Sequence, residues 1–359
     1  MTTHRPDRRA ALRLMMGSLA LSPLARAQAS VAADAGAIPR FAFVSHAPTH
    51  DEWWNSVKNA LQHAANDFGV AVDYLNPPDG RIEEMARLID GLSPQRHTGV
   101  ISTIADFHAL RRPLSDVVSA KRLPLITVNS GTQAQSEQIG ALMHIGQPEF
   151  LAGLEAGALA AKSGARNFLC LNHYANNPAS HERCKGFAEG LGAGAQTIEV
   201  PLDGPPEALS KAVAAALEQH PDAQALLALG PVSAHAALQA LKNTPARKGG
   251  TAPLLVSFDL SAPITQGIKA GAVAFAIDQQ PYLQGYLPVA LLSEYVRAPG
   301  GTSMNLVKVK VYANEKLHSR MARYGLELKP ARGQHINSGP GFVTRVNIDK
   351  VERFSGQFR

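Results

Sequence analysis

Short apolar runs alternate with stretches of helical periodicity along most of this 359-residue chain. The runs at 41–44, 70–74, 99–102, 125–128 and 143–146 read as strands. Between them, 52–68, 81–92 and 107–120 read as helices; in the first, Trp54, Val57, Leu61, Ala64, Ala65 and Phe68 fall on one face. The pattern restarts after residue 147, with helices at 149–163, 179–191, 206–219, 233–242, 261–270 and 282–297. Strands at 167–171, 196–200, 225–229, 254–258 and 273–277 separate them. Apolar, β-branched strands alternating with helices predict parallel sheets covered on both faces. The run is too long for one open sheet of ordinary size. The expected fold is therefore α/β, with two doubly wound parallel-sheet lobes. Ligands of such sheets lie beyond the carboxyl ends of the strands, so the residues following each strand are the candidate binding groups.

Composition narrows the class. Apolar residues make up 45% and charged residues 18%, enough for a core and unlike a disordered chain. No uncharged apolar run reaches the roughly 18 residues of a membrane span, and two cysteines are too few for a disulfide framework or a four-thiolate zinc site. The net charge of +6 is concentrated at the start: Arg5, Arg8, Arg9, Arg13 and Arg26 face only Asp7 within residues 1–29. Arg8-Arg9, the modestly apolar 14–24 and the small-residue sites at Ala25–Ala27 and Ala27–Ala29 follow the order basic, apolar, cleavable. This predicts a twin-arginine-like signal peptide over 1–29, cut near Ala27 or Ala29, and export to the periplasm. The competing reading is an amphipathic helix kept in the mature protein.

Residues 298–335 break the alternation, with a strand expected at 305–312 and a basic helical segment at 315–324. From 302 to the end, eleven basic residues face four acidic ones. A solvated basic face is the expectation, and nucleic acid is not an expected partner.

Several segments in order resemble the periplasmic sugar-binding proteins of ABC importers, the ribose-binding-like group related to the LacI repressor core. They are 41–55 (FAFVSHAPTHDEWWN), 129–131 (NSG), 144–147 (HIGQ), 181–187 (HERCKGF), 257–259 (SFD) and 276–286 (AIDQQPYLQGY), with 338–344 (SGPGFVT) as a closing strand. The resemblance implies a type I periplasmic binding protein: two lobes joined by three crossovers around one ligand cleft, binding without chemistry, with no cofactor or metal. It implies an N-terminal lobe of 38–147 and 279–300 and a C-terminal lobe of 148–278 and 336–359. Residues 301–335 form an extra basic segment that the family pattern does not place.

A sugar site needs flat apolar surface and fixed hydrogen-bonding groups. Trp54 lies on the apolar stripe of helix 52–68, so core packing is its default; Trp53, about 100° away, is the candidate platform. The family uses an aromatic pair here. Asp106 and Asn129 follow strands, and each can serve as a helix cap or loop anchor instead of a ligand group. Arg183 lies outside the stripe formed by Cys184, Phe187, Ala188 and Leu191. A cation near a helix start gains nothing from the dipole, so hydroxyls or a carboxylate should hold it. The resemblance implies sugar-binding roles for Asp106, Arg183, Asp259 and Gln279, with Asp278 either sharing that role or ordering the hinge. Where many relatives carry asparagine after strand 225–229, this chain has Gly230-Pro231, which speaks against ribose. Asn172, ahead of His173, is the expected replacement. Cys170 and Cys184, on a strand end and the next helix, are expected to be neighbours, either disulfide-bonded or as two buried thiols.

The expected function is a monomeric receptor that delivers a monosaccharide or polyol to an ABC permease of the inner membrane. The alternative is a sensor-coupled binding protein presenting its ligand to a membrane kinase. A LacI-type regulator lacks its helix-turn-helix here, and no enzyme motif such as G-x-S-x-G, H-E-x-x-H or a Walker loop is present.

Overall fold

The computed structural model describes residues 38–359 except 175–176, 196, 244–251 and 331–332. The signal segment expected over 1–29 lies outside the described residues.

The first lobe is built on β1 (Arg40–Val44), β2 (Ala71–Leu75), β3 (Gly99–Ser102), β4 (Leu125–Val128) and β5 (Met143–Gly146), with α1 (Trp54–Phe68), α2 (Ile82–Asp90), α3 (Phe107–Ser119) and α4 (Gln133–Ile139) between them. The second lobe repeats the plan: α5 (Glu149–Lys162), β6 (Phe168–Asn172), α6 (Pro178–Leu191), β7 (Thr197–Pro201), α7 (Pro206–Gln219), β8 (Ala225–Ala228), α8 (Pro231–Asn243), β9 (Leu254–Phe258), α9 (Ala262–Ala270) and β10 (Phe275–Asp278). The chain then continues through α10 (Pro281–Arg297), α11 (Met304–Tyr312), α12 (Glu315–Tyr324), β11 (His335–Asn337) and β12 (Gly341–Val343). The two six-stranded sheets run β11-β5-β4-β3-β1-β2 and β12-β10-β9-β8-β6-β7. All pairs are parallel except β10 with β12. The inner strands are buried on both faces, which explains their continuous apolar runs, whereas the edge strands β2 and β7 are only partly covered.

Three crossings join the lobes: at Gln147 and Pro148, at Gln279 and Gln280, and at Ser338, Gly339 and Pro340. Gln280 sits in the left-handed region (φ 52°) and starts α10 there. Its amide clamps the tail, donating to the Glu327 carbonyl at 2.9 Å and accepting from the Glu327 N–H at 2.6 Å. Asp278 orders the same hinge: one carboxylate oxygen accepts the Gln280 N–H and the other the half-buried Arg359 guanidinium, each at 2.7 Å.

The 301–335 region differs from its sequence pattern. The strand expected at 305–312 is helix α11. The alternating Val307-Lys308-Val309-Lys310-Val311 suggested period two. Instead, Ser303 caps a helix whose Val307 and Val311, four apart, enter the first-lobe core with Leu317 and Tyr324 of α12. Tertiary burial overrides β-branched propensity here. The expected boundary at 336 falls inside β11, which belongs to the first sheet. The tail serves both lobes: Ile348 and Val351 join the second core, while Phe358 stacks on Tyr324 at 4.3 Å. Several basic residues of this region are spent internally: Arg320 pairs with Asp67, and Lys316 donates to the Asp67 carbonyl. α4 escaped the apolar pattern because its signature is polar, a capping box of Thr132 with Gln135.

Candidate functional site

A narrow cleft enclosing about 50 Å³ lies between the carboxyl ends of the two sheets. Each wall comes from one lobe.

The first-lobe wall is the loop leaving β1. Trp54, the first residue of α1, is buried and packs edge-on against Phe43 (6.3 Å) and His46 (5.4 Å). It braces Trp53, whose ring centroid is 5.0 Å away. Asp51 orders the loop by accepting the Trp53 backbone N–H at 3.1 Å. His46 is buried with Nδ1 3.0 Å from Thr103 Oγ1; burial pushes its pKa down to about 4, so it is neutral. Asn129 holds a left-handed φ of 60°. Its amide donates to Gln284 Oε1 at 3.0 Å and its oxygen accepts from Ser130. Asn129 thus lines the cavity while tying it to α10.

The second-lobe wall is built around Arg183. Helices α5 and α6 touch through glycine. A Cβ on Gly153 would lie 2.3 Å from the Arg183 carbonyl oxygen, and one on Gly186 would lie 2.1 Å from that of Phe150. This contact brings the first residue of α5, Glu149, beside Arg183. Arg183 Nε and Nη2 donate to the two Glu149 oxygens at 2.7 and 2.9 Å, and Nη1 donates to the Leu229 carbonyl at 2.9 Å. The guanidinium lies 4.4 Å from the Phe258 ring centroid. Although Arg183 is off the apolar stripe of α6, it is buried, at 8% exposure. The partner that its sequence position called for is a protein carboxylate.

Asp259 follows β9 with φ 65°. Both its oxygens accept from Gln279 Nε2, at 2.7 and 2.9 Å. Burial pushes its carboxyl up to about 7; Arg183, Trp53 and Gln279 favour the charged form but do not overcome the desolvation. Gln279 Oε1 is buried with no hydrogen-bond partner, and the buried Trp53 indole N–H faces the Asp259 carboxylate without completing a hydrogen bond to it. Among the described residues, two hydrogen bonds span the walls: Tyr174 Oη donates to Asp51 at 2.9 Å and Asn177 donates to Ser130 Oγ at 3.2 Å.

Of the residues expected from sequence, the cavity gathers Trp53, Trp54, Asn129, Arg183, Asp259 and Gln279. Two lie elsewhere. Asp106 caps α3, accepting the Ala109 N–H at 2.9 Å, and lines a neighbouring cavity instead. Asn172 has both ends of its amide occupied, donating to Glu199 at 2.6 Å and accepting the Tyr174 N–H at 2.9 Å. His173, ranked behind it, lines the cavity. Cys170 and Cys184 are disulfide-bonded, with Cα atoms 6.1 Å apart. Sequence reasoning passed over Glu149, His46, Asp51, Tyr174 and Asn177. An acid at a helix start is favoured by the dipole in any protein, so Glu149 carried no distinguishing signal. His46 and Asp51 did, because they lie in the loop that leaves β1.

The profile of the periplasmic binding protein domain family matches residues 41–301. Comparison with curated proteins returns no match. Among solved structures, a carbohydrate transporter from Acidothermus cellulolyticus 11B in complex with myo-inositol is similar at a TM-score of 0.74 and 26% identity, covering 89% of this chain and 100% of its own. An ABC transporter solute-binding protein from Burkholderia graminis C4D1M, in complex with D-arabinose, gives 0.66 and 17% over 86% of this chain and 96% of its own. The XylFII–LytSN complex gives 0.64 and 20% over 73% and 94%. The latter two likenesses speak to fold alone. On the matched span, which runs well past half of the sequence, and on the topology of its two sheets, this chain belongs to the periplasmic binding protein domain family and has its type I, two-lobed fold.

Proposed function

We propose that the chain is an extracytoplasmic receptor that binds one neutral monosaccharide or polyol between its lobes and hands it, unchanged, to an ABC permease. The observation that carries this reading is the Arg183–Glu149 pair. The cation of the cavity is already matched by a protein carboxylate, so an anionic ligand such as a sugar acid would meet Asp259 without a free counter-charge. Hydroxyls fit what remains: Asp259, the Gln279 carbonyl and the Trp53 N–H, beside two indole rings. In this reading Trp53 and Trp54 supply the apolar wall, and Arg183, Asp259, Gln279 and Asn129 supply polar contacts. A ligand touching both walls closes the lobes through its differential affinity for the closed state. Residues 1–29 direct export, and the mature protein works as a monomer without catalysis.

A thermal-shift and calorimetric screen of the mature protein against sugars, polyols and sugar acids tests the reading. A neutral ligand at 100 times its Kd should stabilise by about 2.7 kcal/mol. Binding only of acids would overturn it. Replacing Arg8 and Arg9 by lysine should stop export; normal export would leave a general secretory signal.

The second reading, presentation of the bound ligand to a membrane sensor, draws on the similarity to the XylFII–LytSN complex. Loss of ligand uptake in a deletion strain favours the permease. Intact uptake with lost induction by the ligand favours the sensor.

A further inference from the structure

Gly230 is a glycine without a conformational reason to be one. Its φ is not in the left-handed region, and Pro231 begins α8 immediately after it. The reason is space. A Cβ at 230 would stand 2.8 Å from His173 Cε1 and 3.2 Å from Nε2. The imidazole therefore occupies the place where a side chain on the turn after β8 would otherwise enter the cavity, and it lines that cavity with Gly230, Asp259 and Gln279.

The hydrogen bonds around the ring favour a proton on Nδ1. Ser233, fully buried, donates its hydroxyl hydrogen to the Gly230 carbonyl at 3.0 Å. Its oxygen is then left to accept, and His173 Nδ1 lies 3.4 Å from it. Nδ1 is the donor, and a neutral imidazole has only one. Burial and the nearby Arg183 charge push the His173 pKa down to about 4, so the ring stays neutral at ordinary pH. Nε2, with no partner among the described residues, is left with a lone pair.

We propose that His173 and Gly230 act as a ligand-selecting pair: glycine at 230 admits the ring, and His173 Nε2 accepts a hydrogen bond from one ligand hydroxyl beside those received by Asp259. This rests on the receptor reading above and sharpens it. The second-lobe side of the cavity is acceptor-rich, so it selects a polyol presenting adjacent hydroxyls as donors, and an analogue lacking the hydroxyl at His173 is rejected.

The test is a double-mutant cycle of wild type, Gly230→Ala, His173→Ala and the double variant, titrated with myo-inositol, D-arabinose and D-glucose, the tightest serving as probe. Gly230→Ala should weaken the probe at least tenfold in the parent but less than twofold on the His173→Ala background. His173→Ala should weaken it about tenfold and change the order of preference. Melting temperatures of the four ligand-free proteins check the contact independently, because Gly230→Ala should lower the midpoint only when His173 is present. An equal cost of Gly230→Ala in both backgrounds, or an unchanged sugar order in His173→Ala, overturns the pair while leaving the receptor reading intact. Wild type binding none of the three sugars nor any other neutral polyol overturns both.

Discussion

The two walls of the cavity are made in different ways. The first-lobe wall comes mainly from one stretch after β1, in which Trp54 is buried and Trp53 is held against it, with Asn129 and Ser130 added from the turn after β4. The second-lobe wall is assembled from residues 149, 173, 183, 230 and 259, which lie on separate elements. The first carries the two indole rings on a stretch of local sequence. The second is polar, and its ionic groups are satisfied by the protein before any ligand arrives. Fixed, mutually paired donors and acceptors lose little freedom on binding, but each depends on its partner for stability. The contrast predicts that damage to the second wall shows first as instability, and damage to the first shows first as lost affinity.

The sharpest break should come from Arg183→Ala. It leaves Glu149 buried without its counter-charge, which typically costs about 3–5 kcal/mol. Chemical denaturation should show this in the ligand-free protein, and replacing both by apolar residues (Arg183→Met with Glu149→Leu) should recover most of it. A ligand-free stability unchanged by Arg183→Ala would mean the pair contributes nothing to the fold.

Next in size is the disulfide. Cys170 and Cys184 close a loop of about 15 residues, for which chain entropy suggests about 3 kcal/mol. Replacing both by serine, or reducing the protein, should lower the melting temperature and loosen β6 against α6 in hydrogen exchange, leaving the first lobe protected.

Trp53→Ala tests the other wall. It should weaken ligand binding by roughly 10- to 100-fold, or about 1.4–2.8 kcal/mol. The ligand-free midpoint should hold nearly steady, since Trp54 carries the packing into the core. A large loss of stability with binding retained would reverse the contrast between the walls.

The smallest effect is in pH. Asp259 has a folded pKa raised to about 7 from an ordinary value near 4, so the folded state holds a proton the unfolded chain releases. Its contribution to stability is fully present below pH 4 and is lost as pH rises through 7. A ligand hydroxyl donating to the carboxylate favours the charged form, so affinity should rise between pH 6 and 8. Calorimetry at those two values checks it, and Asp259→Asn should flatten the profile. His46 and His173, both near 4, stay neutral over that range.

Apolar runs and helical spacing determined the βα alternation, the restart after residue 147 and the doubly wound class, because strands buried on both faces and helices buried on one write their period directly into the chain. The strand-end rule also made Trp53, Asp259 and Gln279 legible, since in parallel sheets these positions face the cleft whatever the side chain. What tertiary structure alone decided is which polar groups have spare capacity. Asn172 stands at a strand end too, but Glu199 and the Tyr174 N–H occupy both ends of its amide, while Asp106 gives one carboxylate oxygen to the Ala109 N–H. Arg183 called for a partner from its helix position, but only the glycine contact between α5 and α6 delivered Glu149, 34 residues away, as that partner. α11 reads as a strand in isolation and becomes a helix because Val307 and Val311 find the first-lobe core. Periodicity records which face of an element is buried; the partner that satisfies a buried polar group is set by elements distant in sequence, and only packing brings them together.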